Sequence, residues 1–217
     1  MQRLTEDVFQ LAPPGGLFDE TVVMNLYANK TPGARKQLIN RALKNNEIFR
    51  LKKGVYILAS NWRRTDPHPF VVASRLYSPS HISLESALSF HGLIPEAVFQ
   101  VASVTTRRRQ VFDTPMGYFT FDTVPSSTPR AGVKAHRFDG DLWAFIAEPV
   151  RALADMIYLN KTVSWSADGL RWLVESLRIE ESDLEDLSFG DLDEMTESFR
   201  NRRVVEFLEG LAREFAT

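Results

Sequence analysis

Cysteine is absent from this sequence, which removes disulfides, thiolate nucleophiles and every cysteine-containing zinc site at once. Glycine and proline are sparse, 11 of each among 217 residues, too few for a low-complexity or collagen-like chain. Long apolar runs are missing as well. The stretch from Leu142 to Ala147 falls far short of the roughly 20 residues a bilayer crossing needs, and Met1-Gln2-Arg3-Leu4-Thr5-Glu6-Asp7 has no apolar signal core. The expectation is a soluble, cytoplasmic protein without a membrane partner. What is present is a hydrophobic fraction of 44%, enough for packed cores in one large or two small domains.

A formal net charge of -2 conceals a strong gradient along the chain. Residues 1–64 hold 11 Lys and Arg against 5 Asp and Glu, residues 65–170 hold 9 against 10, and residues 171–217 hold 6 against 13. A basic amino-terminal part joined to an acidic carboxy-terminal part is the asymmetry expected when only one end meets nucleic acid.

The basic part reads as helices followed by a hairpin. Leu4 to Leu11 is a weakly signalled helix, and Leu17 to Ala28 reads as a second, with Val22, Val23, Leu26 and Tyr27 apolar. Thr31-Pro32 starts a third, because Thr caps orphan amides and Pro at the first position loses no hydrogen bond. From there Ala34, Leu38, Ile39, Ala42 and Leu43 fall on one stripe at helical spacing. The two β-rich runs Glu47–Leu51 and Val55–Leu58 then flank Lys52-Lys53-Gly54, a turn in which Gly54 supplies a positive φ. Helix, turn, helix and basic hairpin describe a winged helix-turn-helix over residues 1–64. Its candidate DNA-binding residues are Arg35, Lys36, Gln37, Asn40, Arg41 and Lys44 on the third helix, and Arg50, Lys52 and Lys53 on the hairpin. Arg and Asn/Gln match guanine and adenine edges, while the hairpin cations suit phosphate.

Ser60 to Pro69 has turn chemistry and two prolines, placing a domain boundary there, with residues 65–217 as the second domain. Phe70–Leu76 is helical, and Ser83 is expected to cap a helix from Leu84 to His91 that Gly92 ends. Val98–Thr105 and Tyr118–Val124 read as strands, and Asp139-Gly140 joins Val133–Phe138 to Leu142–Ala147 as a hairpin. Beyond residue 148 the pattern is helical: Pro149–Leu159, Ala167–Arg178, a capping box from Ser182 to Glu185, Asp191–Phe199 and Asn201–Phe215. The whole is an α+β protein, a winged helix followed by a mixed domain with a small, mainly antiparallel sheet and a helical carboxy-terminal third.

Catalytic chemistry is quiet. His68, His81, His91 and His136 have no spacing that aims two imidazoles at one metal, Asp139 and Asp141 are explained by turn chemistry, and no Gly-x-Ser-x-Gly elbow occurs. Neither a metal, a cofactor nor a catalytic residue is assigned. Arg107-Arg108-Arg109 after a strand is the exception to a bland polar surface: such a loop could grip phosphate or an acidic partner, although a solvated charge run is the commoner case.

Four runs carry a family resemblance: Leu51-Lys52-Lys53-Gly54-Val55-Tyr56; Ile82-Ser83-Leu84-Glu85-Ser86-Ala87-Leu88-Ser89-Phe90-His91-Gly92-Leu93-Ile94-Pro95-Glu96; Ser103-Val104-Thr105-Thr106-Arg107; and Ala147-Glu148-Pro149-Val150-Arg151-Ala152-Leu153-Ala154-Asp155. In this order they resemble the AbiEi antitoxins of abortive-infection toxin–antitoxin systems. The resemblance implies a non-enzymatic autorepressor that binds double-stranded DNA at an inverted repeat in its own promoter. It also implies a carboxy-terminal domain that counteracts a nucleotidyltransferase toxin without a stable complex, with Arg107, Arg108 and Arg109 as candidate residues. Arg151 stands where the family pattern often has Lys, a change expected to keep a surface charge. A stand-alone transcriptional regulator and an enzyme acting on nucleic acid are the alternatives.

Overall fold

The computed structural model describes residues 3–95 and 99–216. Glu96 of the quoted block and Val98, the expected start of a strand, lie outside the described residues. Among the described residues the chain is α+β with two sheets.

The first part runs α1 (Arg3–Leu11), β1 (Leu17–Asp19), α2 (Glu20–Leu26), α3 (Pro32–Lys44), β2 (Ile48–Lys52) and β3 (Val55–Leu58). The three strands are antiparallel in the order β1-β3-β2. The helix expected from Leu17 is shorter and later, because Asp19 accepts hydrogen bonds from the amides of Thr21 (2.9 Å) and Val22 (3.2 Å) and so caps α2. That cap frees Leu17–Asp19 to pair with Val55–Ile57. Thr31 caps α3 as its sequence demands, its hydroxyl accepting from Ala34 N at 3.2 Å, and Gly54 turns the hairpin at φ +81°.

The second part runs α4 (Pro69–Leu76), β4 (His81–Ile82), α5 (Leu84–Phe90), β5 (Gln100–Thr105), β6 (Gln110–Thr114), β7 (Gly117–Thr123), β8 (Val133–Phe138), β9 (Leu142–Ala147), α6 (Pro149–Leu159), α7 (Trp165–Arg171), α8 (Glu181–Glu185), α9 (Leu192–Ser198) and α10 (Arg202–Phe215). Its sheet has six strands in the order β6-β7-β5-β4-β9-β8. The β8–β9 hairpin falls where the sequence places it. The sheet is larger and more mixed than expected, with β5/β7 and β4/β9 parallel and the remaining pairs antiparallel. Two of its strands escape sequence patterning for simple reasons: β4 has two residues, and β6 is a polar, largely exposed edge strand. In the helical third, α7 stops at Arg171 and Trp172–Ser176 forms a wider helical turn, while Glu180 rather than Ser182 precedes α8, so the expected capping box is not made.

Strand alternation makes the small sheet two-faced. Phe18, Tyr56 and Leu58 point into a core with Leu4, Val8, Val23, Ile39 and Ala42. Leu17, Leu51 and Ile57 point the other way, into the large core with Val71, Leu76 and Phe119. The expected boundary between residues 64 and 65 is thus bridged by a shared apolar layer. Close approach continues at the connector: a Cβ on Gly16 would lie 2.6 Å from Arg63 Cγ, and Gly16 has φ +70°.

A buried ionic cluster ties the second part together. Arg151 and Asp155 lie one turn apart on α6, are both 0% exposed, and pair through Arg151 Nε and Asp155 Oδ1 at 3.1 Å. Asp155 Oδ2 also accepts from Ser83 Oγ (2.7 Å) and from His81 Nε2 (3.1 Å). Arg151 Nη1 donates to the Ala131 carbonyl at 2.7 Å, and the guanidinium lies 5.0 Å from the Phe199 ring centre. Two expectations are corrected here. Arg151 keeps no surface role, since a helix buried along almost its whole length carries it inside. Ser83 precedes α5 without capping it, because Leu84 turns into the left-handed region (φ +56°) and the Ser83 hydroxyl reaches Asp155 instead.

Burial alone would raise the pKa of Asp155, but the Arg151 charge, aided by His81 and Ser83, holds it below its ordinary 3.8. Its contribution to stability is therefore complete above that value and is lost as pH falls below 3.8 through the lower folded value. Asp155→Asn is expected to cost about 3–5 kcal/mol at neutral pH by leaving Arg151 buried without its counter-ion. Urea unfolding across pH checks this: the gap between parent and variant should narrow on the acid side of 3.8.

Candidate nucleic-acid interface

The candidate interface is built on α3, which its own apolar stripe anchors. Ile39 and Ala42 are buried in the amino-terminal core, with Leu38 and Leu43 half-buried against it. That anchoring dictates what faces water. Lys36, Gln37, Asn40, Arg41 and Lys44 are all exposed on the opposite side. Arg50 and Lys53 on the hairpin are exposed too, and the Arg50 guanidinium carbon sits 5.8 Å from the Tyr56 ring centre. Between α2, α3 and the hairpin runs a groove of about 620 Å³, lined among others by Glu20, Lys36, Asn40, Arg50 and Lys53.

Two of the nine candidate side chains are taken up by backbone carbonyls. Arg35 is half-buried, and its Nη1 donates to the carbonyls of Lys30 (2.8 Å) and Tyr27 (3.3 Å), closing the α2–α3 turn. Lys52 donates through Nζ to the carbonyl of Leu76. Leu76 ends α4, where the last carbonyls lack intrahelical partners and the helix dipole attracts a cation. Burial pushes the Lys52 ammonium below its ordinary 10.5. Lys52 therefore braces the hairpin against the second part and leaves Lys53 as the outward cation at the tip.

Arg107, Arg108 and Arg109 occupy the exposed connection between β5 and β6. Its backbone is held firmly, since the Arg107 carbonyl accepts from Thr123 Oγ1 at 2.7 Å and the Arg108 carbonyl from Tyr77 Oη at 3.1 Å. Arg109 Nε pairs with Asp122 Oδ1 at 2.8 Å, an exposed pair worth little to stability. The Arg107 and Arg108 guanidinium groups make no ion pair among the described residues.

The histidines are dispersed among separate tasks. His81 belongs to the buried cluster, His68 stacks 4.3 Å from Phe138, and His91 donates through Nε2 to the Ala147 carbonyl at 3.0 Å. Folding brings His91 within 6.1 Å of His136 between ring centres, a juxtaposition that sequence spacing does not show. The buried cluster was also missed at the sequence level. Its legible signal was Arg151 and Asp155 four residues apart on an otherwise apolar helix.

No protein-family model matches the chain, and no match to it was found among curated proteins.

Proposed function

We propose that residues 1–64 form a winged helix that binds double-stranded DNA, with α3 in the major groove and Arg50 and Lys53 on phosphate. The observation that carries this reading is the exposed face of α3: three cations and two amides, backed by a packed core and flanked by a hairpin bearing two further exposed cations. Amide and guanidinium groups on such a helix suit base edges, and the hairpin cations suit the backbone. The order of three helices and a hairpin, and the positive charge of this part alone, support the same reading.

On the resemblance to AbiEi antitoxins, the chain is a cytoplasmic, non-enzymatic autorepressor acting on an inverted repeat in its own promoter. Its second part counteracts a nucleotidyltransferase toxin without a stable complex. The free guanidinium groups of Arg107 and Arg108 are the most accessible candidates for that role.

A gel shift with the DNA upstream of the gene should show binding at about 50 mM salt, where counterion competition is weak; no shift there would end the proposal. Asn40→Ala and Arg41→Ala should each cost roughly 1–3 kcal/mol and relax preference at one base pair, as measured by competition with single-position variants of the site. Arg50→Ala and Lys53→Ala should weaken cognate and random DNA alike and flatten the salt dependence by about one unit of slope each, whereas Lys52→Ala should leave that slope unchanged. Co-expression with a neighbouring nucleotidyltransferase tests the second half. Arg107→Glu with Arg108→Glu should abolish protection in a folded protein, and the absence of any protection by the parent would leave a stand-alone regulator.

A further inference from the structure

A cavity of about 60 Å³ opens beside the buried ionic cluster, lined in part by His81, Val104, Val124, Arg130, Phe145 and Arg151. Its polar wall is one-sided. Arg151 supplies a buried guanidinium, His81 is turned by its Nε2 toward Asp155, Arg130 stands at the exposed rim with its guanidinium carbon 3.8 Å from the centre of the Phe145 ring, and no carboxylate lines the space among the described residues. Asp155 neutralises Arg151 through Nε, and Ala131 takes one Nη1 hydrogen, but Nη2 has no hydrogen-bond acceptor among the described residues. A guanidinium nitrogen without a protein acceptor is open to any acceptor placed in the adjoining space.

Size narrows the occupant. A water needs roughly 10–15 Å³ of such space, so about 60 Å³ holds a few waters or one small polyatomic ion and excludes a nucleoside. Apolar walls from Val104, Val124 and Phe145 disfavour loosely held water and strengthen any charge-assisted bond formed inside. Two arginines converging on one volume match the oxygens of a tetrahedral oxyanion, whose several acceptors can engage both forks.

We propose that this cavity is a binding site for a phosphate group, either the free ion or the terminal phosphate of a small metabolite, held by Arg151 inside and by Arg130 at the rim. The site is separate from the α3 face and adds a ligand to the second part, whose occupancy would brace the segment from Pro129 to Val133 against α6.

The test is a thermal-shift titration of the full chain with inorganic phosphate, ionic strength being held constant with chloride. A saturable rise in Tm of about 3–6 °C at ten times Kd is expected. Arg130→Gln changes an exposed side chain and should remove the shift. Thr106→Glu, which places a carboxylate at the rim, should remove it as well. Arg50→Ala with Lys53→Ala should retain it, separating this site from phosphate held weakly on the α3 face. An equal shift with methyl phosphate would assign a phosphate that carries a substituent past Arg130, and a shift with inorganic phosphate alone would assign the free ion. No shift beyond that of chloride, an undiminished shift in both rim variants, or a larger shift with acetate would overturn the proposal.

Discussion

A carboxylate with no access to water needs its charge met on every side, and Asp155 meets this condition with three side chains from two pieces of chain. Arg151 comes from the same helix, His81 from the shortest strand of the large sheet, and Ser83 from the entrance to α5. Arg151 in turn recruits the Ala131 carbonyl and the ring of Phe199. Such a cluster adds little net stability compared with apolar packing of equal volume, because desolvation offsets most of the attraction. It is more demanding than an apolar core in another respect: each polar atom requires a partner in a defined direction, so only one arrangement of α5, α6 and β4 satisfies it. Two of the runs that carry the family resemblance, one around Ser83 and the other from Arg151 to Asp155, meet at this carboxylate.

The small sheet of the amino-terminal part is subject to a different constraint. Apolar residues on both of its faces need cover, and the helices α1 to α3 can supply only one side. The second part supplies the other, through Val71, Leu76 and Phe119. Polar contacts follow the same seam: Lys52 reaches the end of α4, and Arg63 Nη1 lies 3.5 Å from Met116 Sδ. Bringing the connector so close to Arg63 requires a residue without a side chain at position 16. The two parts thus differ in charge and in chemistry while sharing one apolar layer.

Charge alone does not identify which side chains are available to a ligand. Of the basic residues between Arg35 and Lys53, two are occupied by backbone carbonyls that would otherwise lack partners. A backbone acceptor at a turn or a helix end attracts a cation with the same chemistry as a phosphate oxygen. Arg109 is likewise drawn to Asp122, whereas its two neighbours are left to solvent. The side chains that remain free form a smaller and better defined surface than the raw count of positive residues.

Local pattern was sufficient wherever an element's own residues decide its state. Thr31-Pro32 and the apolar stripe behind them determine α3, Gly54 determines the hairpin turn, and the alternation around Asp139-Gly140 determines β8 and β9. The exposed face of α3 was legible for the same reason, since a helix that buries Ile39 and Ala42 must turn Asn40 and Arg41 outward. Tertiary structure decided the rest. Two-residue β4 exists only because β5 and β9 pair with it, polar β6 only because β7 offers its edge, and β1 only because Asp19 delays the helix after it. Whether Arg35 or Lys52 faces solvent could not be read from their neighbours in the chain, because they are held by carbonyls 5 and 24 residues away that folding brings within hydrogen-bond reach. Hydrophobic periodicity reports which face of an element is buried, and partners for polar atoms are settled only when the faces have met.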